Sequence, residues 1–373
     1  MRHPCSSVVV ATFLVFIAVA YAPDLSAQAP QVAPRPGIGL PDEAAGRGEV
    51  VRALIAAFDR FDIVALGEVH GRRSDSDLRI ALVRHPDFAK KVRSIVVEFA
   101  STTEQPTLDR YIRGEDVPSD QLAQVWRTTT QAANRVWESP IYADVFAAVR
   151  DVNSRLPADV RIRVLGGDPG PGDTRSRETA AATVLKEQVL QKHGKALAVY
   201  GAGHFWRGRP MDEQFLSMQG PDIGIPRMLD IDYPGRTFAV IPLGGPDNFP
   251  PAFRQFKPDR DDQKFDRALK SPLRPVLVSL QRPPFRDYSA EEFLDPVIIC
   301  RPPATPQSSS APASTSRPPS SGSPPPPPPP PSAGLSAEGC RSVLKGSSLT
   351  LAQMADAAIY FGREDDPIVP TKK

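Results

Sequence analysis

Six apolar runs of strand length recur along the chain, separated by segments whose apolar residues repeat at helical spacing. The runs are "DIVALGE" from Asp62, "SIVVEFA" from Ser94, "RIRVLGGD" from Arg161, "ALAVYGAGH" from Ala196, "TFAVIPLGG" from Thr237 and "PVLVSL" from Pro275. Ahead of the first, "EVVRALIAAFDRF" sets Val50, Leu54, Ala57, Phe58 and Phe61 near one helical face. Between the others lie "SDLRIALVRH", "YADVFAAVRDVN" and "RETAAATVLKEQVLQKHG", the last ending in the His193-Gly194 pair expected at a helix C-terminus. Strands that are apolar almost throughout are buried on both faces, and their alternation with helices predicts an α/β domain with a largely parallel central sheet flanked by helices. No repeat of solenoid period interrupts this pattern.

Composition sets the limits of that domain. Residues 301–338 are rich in proline and serine, with eight consecutive prolines at Pro324–Pro331, and such a segment cannot bury a core. The sequence "SLTLAQMADAAIYFG" then returns to globular character through Leu349, Leu351 and Met354. A single domain over 48–300 is therefore expected to contain a disordered insertion, to resume over 339–366 and to end in a tail, 367–373. Cys300 and Cys340 stand at the two ends of the insertion, where a disulfide would hold the last segment on the core despite the long loop. The alternative is two separate thiols.

The N-terminus has a basic start at Arg2, an apolar run from Val8 to Ala20 and then small residues. This is the pattern of a secretory signal over 1–27, with cleavage after Ala22 or Ala27, and it predicts a secreted or periplasmic protein. A retained anchor is the alternative, but the run falls short of the ~20 residues a spanning helix prefers, so no membrane span is expected after cleavage. Residues 28–47, rich in proline and glycine, are expected to lack fixed structure. An oxidising compartment also suits the two cysteines left after the signal. The chain's 45 basic and 43 acidic residues nearly cancel, which removes the electrostatic case for nucleic acid and leaves a small molecule or peptide as the expected partner.

In open α/β sheets ligands bind beyond the carboxyl ends of the strands, so each strand is read by what closes it. The first run ends in Glu68 and His70, the second carries Glu98, the third ends in Asp168 and the fourth leads to His204. Each of these has an ordinary explanation as a polar turn residue; together they point to one site. Glu98 is the most informative, because a carboxylate inside "IVVEFA" is costly unless paired, hydrogen-bonded or bound to metal. Its structural explanation is a salt bridge to Arg72 or Arg73. His70 and His204 share a Gly-x-x-His pattern, in which glycine permits a tight turn or close approach and imidazole can take a proton or bind a metal. His85 and His193 lack this context and read as structural or exposed. Trp206 and Arg207 follow His204, as Arg72 and Arg73 follow His70. All four are candidate substrate contacts or supporting residues, with surface or core packing as the alternative. Asp168, in "GGDPGPGD", reads equally as a turn residue or a supporting ligand.

The stretches "LGEVHG", "VVEFA" and "YGAGHFWRG" resemble the superfamily that contains Tiki and TraB-type proteins, ChaN-like haem-binding proteins and erythromycin esterases. The likeness extends from about Val50 to "AAIYFG". Erythromycin esterases carry a Gly-Glu-x-x-His-Gly motif, whereas here only Val69 separates Glu68 from His70, a spacing nearer to the Tiki and ChaN branches. The resemblance implies one cleft holding Glu68, His70, Glu98 and His204. Two functions follow as expectations. The first is hydrolysis of an ester or peptide bond, with a divalent metal on His70, His204 and Glu98 activating water, or without metal through a histidine base oriented by a glutamate. The second is haem binding without hydrolysis, which needs an axial histidine or one of Tyr111, Tyr142 and Tyr200.

Overall fold

Successive side chains of the strand Ile63–Glu68 alternate between two apolar clusters, Val64 and Leu66 entering one and Ile63 and Ala65 the other. Strand Ser94–Ser101 repeats the division, with Ile95, Val97 and Phe99 on the first side and Val96 on the second. Side chains of a strand point alternately to opposite faces, so a run that is apolar throughout requires cover on both. The computed structural model describes residues 41–208, 224–244, 262–294, 298–300, 340–342 and 344–362. The expected signal and most of the unstructured mature start lie outside these residues, as do the Pro/Ser-rich insertion and the tail.

The strands are β1 (Glu43–Ala45), β2 (Ile63–Glu68), β3 (Ser94–Ser101), β4 (Arg163–Asp168), β5 (Ala196–Gly201), β6 (Thr237–Leu243), β7 (Val276–Ser279), β8 (Ile298–Cys300), β9 (Cys340–Ser342) and β10 (Ala357–Tyr360). Eight of them form one sheet in the order β1-β7-β10-β6-β2-β5-β3-β4. From β10 to β4 every pairing is parallel, and β7 runs antiparallel to both β10 and β1. One face is covered by α1 (Arg47–Ala57), α2 (Arg73–Arg84), α4 (Gln105–Arg113), α5 (Ser119–Arg127) and α6 (Pro140–Asn153), with the short α3 (Phe88–Lys91) at its edge. The other face is covered by α7 (Arg177–Gln188) and the helix Ile225–Asp232, whose Ala181, Leu185, Ile225 and Leu229 pack beneath β5. The α/β architecture and largely parallel sheet expected from the alternating pattern are both present. Among the described residues no helix is long and apolar enough to cross a membrane.

Two features differ from expectation. Glu43–Ala45 falls within the stretch expected to be unstructured, yet it forms the edge strand β1 against Val276–Val278. The Glu43 carboxylate fixes it there, accepting the backbone N–H groups of Lys270 and Ser271 at 2.8 Å each. The antiparallel direction of β7 carried no signal in "PVLVSL". The returning C-terminal segment supplies β10, inserted between β6 and β7, and the small ribbon of β8 with β9 sets position Cys300 opposite Cys340.

Chain direction places the site. From β2 the chain moves to β3 on one side, whereas from the adjacent β5 it crosses to β6 on the other. Connections that leave neighbouring strands in opposite directions open a crevice at their carboxyl ends. Pairing sharpens it. The β2–β5 ladder runs out to Glu68 opposite Gly201, while β6 leaves β2 after Val240 and β3 leaves β5 after Val97.

Candidate functional site

Where β3 parts from β5, the backbone N–H of Gly201 loses its strand partner and is taken by the Glu98 carboxylate, Oε2 accepting at 2.8 Å. That bond explains how a carboxylate can sit fully buried within an apolar run. Alternation sends Glu98 to the α7 face and Glu68 to the α2 and α6 face, so the two glutamates approach the crevice from opposite sides of the sheet. The two Gly-x-x-His glycines serve close approach. A Cβ at Gly201 would lie 2.8 Å from Cε1 and 3.0 Å from Nε2 of His70, and one at Gly67 would meet Ala202, Pro242 and the Val240 carbonyl at 3.1 Å. The imidazole of His70 thus lies on the bare backbone of Gly201.

Five side chains form a continuous sequence across the crevice. Glu68 Oε1 lies 2.9 Å from Nδ1 of His70, whose Nε2 faces Glu98 Oε2 at 3.9 Å. Glu98 Oε1 lies 3.2 Å from Nε2 of His204, whose Nδ1 lies 2.9 Å from Glu178 Oε1. Each end is braced. Arg79 from α2 is ion-paired to Glu68 Oε2, and the Tyr142 hydroxyl from α6 donates to Glu68 Oε1 at 3.2 Å while accepting from the N–H of Gly71. Arg177 donates to Glu98 Oε1 at 2.5 Å. The ring of Trp137 meets His70 edge-on, with centroids 4.7 Å apart.

The two imidazoles are driven apart in proton affinity. Burial lowers His70, and the His204 and Arg177 cations add to this against the opposing Glu98 charge, so the ring stands below its ordinary value. For His204 burial acts in the same direction, but Glu98 and Glu178 outweigh it and raise the group to about 9. Burial would raise Glu98, yet the His204, His70 and Arg177 charges hold it well below the usual carboxylate range. Glu178, likewise buried, is brought down to about 2 by His204. At neutral pH the site therefore holds a neutral His70 and a cationic His204 on either side of an ionised Glu98. A carboxylate can only accept, so Nδ1 of His70 carries its proton toward Glu68 and Nε2 keeps its lone pair.

Sequence reasoning placed Glu68, His70, Glu98 and His204 together, and the fold brings them to one crevice. It did not find Arg79, Trp137, Arg177 or Glu178, and it offered Tyr142 only as an axial haem ligand; Arg79 comes from α2, the helix that follows β2, and the others from α6, the turn before it and α7. The supporting candidates are engaged elsewhere. Arg72 is buried against Asp75 and the Gly244 carbonyl, with its guanidinium over Phe361, and Arg73 is exposed beside Asp77 and Asp144. Glu98 thus takes its arginine from α7 instead of from the Arg72-Arg73 pair. Asp168 closes β4, where its carboxylate accepts from the N–H and hydroxyl of Thr130 and the N–H of Gly170, while burial raises its proton affinity. Trp206 is packed into the core beneath β6 and β10. Arg207 is buried between Asp230 and Asp356 and donates to the Thr237 carbonyl, tying the His204 turn to the start of β10.

The expected metal set of His70, His204 and Glu98 is spatially close but differently used. The two Nε2 atoms face the Glu98 carboxylate, which also accepts from Arg177 and from the N–H of Gly201. Among the described residues no group of three His, Cys, Asp or Glu side chains is arranged to hold a metal ion.

Residues 54–159 match the family model described as haem-binding uptake, Tiki superfamily, ChaN. The resemblance drawn from the motifs is borne out over this stretch, which contains Glu68, His70 and Glu98; Glu178 and His204 lie beyond it. No curated protein matches the chain in sequence. A solved structure from Bacillus cereus is 12% identical, covering 65% of this chain and 84% of its own, with a TM-score of 0.43. ChaN of Campylobacter jejuni, described with cofacial haem binding, is 14% identical over 51% of this chain and 85% of its own, with a TM-score of 0.35. A succinoglycan biosynthesis protein is 11% identical over 55% and 74%, with a TM-score of 0.40.

Proposed function

We propose that the crevice is a metal-independent general acid–base site that hydrolyses an ester or peptide bond. The observation that carries this reading is the pair of imidazoles held in opposite protonation states about Glu98, since titratable groups pushed apart by their surroundings define base and acid assignments. His70, whose side chain is 35% exposed, presents a free Nε2 that takes the proton of an attacking water and returns it to the leaving atom. The His204 cation, with its two N–H groups directed to Glu98 and Glu178, offsets the Glu98 charge beside the reacting base. Glu68 fixes the tautomer of His70, and Glu98 separates the rings while keeping His204 charged. Hydrolysis of p-nitrophenyl acetate and of an unstructured peptide is the direct test. Turnover should survive EDTA; loss of turnover on chelation, restored by a divalent metal, would overturn the metal-free reading.

The geometry makes a further demand on Gly201. Gly201→Ala is expected to push the His70 ring off the backbone, and a displacement near 1 Å costs on the order of 10²-fold in rate. Steady-state kinetics on a variant with near-native circular dichroism checks this.

The family match favours a second reading, haem binding. His70 fits an axial ligand, because its neutral Nε2 is accessible and its Nδ1 is held by a carboxylate. Tyr142 and Tyr200 do not fit, the first being spent on Glu68 and Gly71 and the second wholly buried. Tyr111 packs against Arg150. Bound haem would supply an iron centre for ligation. Titration with hemin decides between the readings: a stoichiometric Soret shift, lost in His70→Ala, together with no hydrolysis, supports haem binding and removes the hydrolase.

Export to the periplasm or beyond, with a Cys300–Cys340 disulfide, belongs to the same proposal. The opposed positions of the two cysteines in the β8–β9 ribbon support it. Electrophoretic mobility should fall on reduction, and two free thiols before reduction would remove the bridge.

A further inference from the structure

Glu178 is a buried carboxylate to which neither functional reading assigns a task. It is the second residue of α7, whose start is fixed by Ser176 as N-cap, the Ser176 hydroxyl accepting from the N–H of Thr179 at 3.1 Å. Its neighbour Arg177 reaches Glu98 while Glu178 reaches His204, so two consecutive residues of one helical turn grip the two members of the Glu98–His204 pair. The result is a row of alternating charge, Arg177, Glu98, His204 and Glu178. An imidazole between two carboxylates has its ring plane fixed at both nitrogens.

We propose that Glu178 is a positioning residue of the site: its carboxylate accepts the Nδ1–H of His204 and so aims Nε2–H at Glu98. The inference rests on the acid–base reading for its consequence in rate, but not for its effect on the ring. Glu178 is buried, whereas the His70 side chain is 35% exposed. The charged and titratable groups facing His204 are Glu98 from β3, Glu178 and Arg177 from α7, His70 beyond β2, and the Tyr200 phenol from β5, whose ring meets His204 at 5.9 Å. Among these groups Glu178 alone meets Nδ1. Sequence offers no hint of this role, because an acidic residue in a first helical turn is ordinary complement to the helix dipole.

The test uses the intact protein with uniform nitrogen-15 labelling and three variants, Glu178→Gln, Glu178→Asp and Glu178→Ala. The readouts are the ring-nitrogen shifts of His204, assigned by the His204→Gln spectrum, and hydrolysis of p-nitrophenyl acetate. In the wild type both ring nitrogens should be protonated at pH 7.5. Glu178→Gln, which keeps the acceptor and drops the charge, should move the His204 titration down by at least one pH unit and carry the alkaline limb of the rate with it. Glu178→Ala should do both and lower the rate further, about 10²-fold in all, the scale of acid–base assistance. Glu178→Asp should restore part of the shift. If His204 titrates identically in the wild type and in folded Glu178→Ala, the inference is overturned. If the ring shifts respond as expected while the wild type hydrolyses nothing, Glu178 positions His204 and the hydrolytic reading falls by itself.

Discussion

Replacing Glu98 by Gln is expected to destabilise the protein by about 3–5 kcal/mol, the range for removing one partner of a buried ion pair. Three donors converge on this carboxylate: Arg177, the N–H of Gly201 and His204. An amide of the same shape keeps one acceptor oxygen but presents an NH₂ group to donors and removes the charge that the His204 and Arg177 cations face. Urea unfolding at pH 7 measures the loss as a shifted midpoint. The pH dependence isolates its origin. His204 is raised to about 9, so its charged form adds stability fully below about 6.5, and that contribution disappears as pH rises through about 9. Glu178, depressed to about 2, contributes above its unfolded value near 4.5, and its share is lost only as pH falls toward 2. The wild type should therefore lose stability between pH 7 and 9.5, and Glu98→Gln should lose much less over the same range. An unchanged urea midpoint in Glu98→Gln would contradict the account of a carboxylate held by three donors.

Glu98 also shows what could be read from sequence. A charge inside "IVVEFA" announces a buried carboxylate, because only a partnered one survives in a strand covered on both faces. The partner's identity could not be read. Arg72 and Arg73 are near the motif in sequence, but their direction is set by the turn after β2, which sends Arg72 to Asp75 and Gly244 and Arg73 to solvent. Arg177 reaches Glu98 because α7 crosses the opposite face of the sheet, a matter of tertiary packing. Trp137 and Arg79 were illegible for the same reason, and Tyr142, read only as a possible haem ligand, instead holds Glu68 from α6. The glycines of the two Gly-x-x-His motifs were half legible: their need was clear, and only the fold distinguishes close approach from a turn. The parallel core of the sheet followed from continuous apolar runs, whereas the antiparallel edge of β1 and β7 depends on backbone pairing that leaves no periodic trace.

The second large effect concerns the two histidines, and His70→Ala is expected to lower hydrolysis by about 10²–10⁴-fold, the usual contribution of a positioned base. Stability should change little, because His70 is the most exposed member of the five and its ring lies on Gly201 without a close bond to Glu98. The sign of the pH dependence follows from the environments. His70 must be neutral to take a proton, and burial beside two cations lowers its pKa, so the acidic limb of kcat/KM should fall below the ordinary histidine value of about 6.5. His204 must be charged to offset the ionised Glu98 beside the reacting base, and its raised value places the alkaline limb near 9. A bell with a plateau across neutral pH is thus expected, wider than two unperturbed imidazoles could give, since one would lose its function where the other gained it. His204→Gln should remove the alkaline limb and move the acidic one upward, because the His204 cation helps to lower His70, while His70→Ala should leave a small residual rate without the acidic limb. A single limb near 6.5 in the wild type, unmoved by either substitution, would mean that neither ring titrates in the rate-limiting step and that the acid–base assignment is wrong.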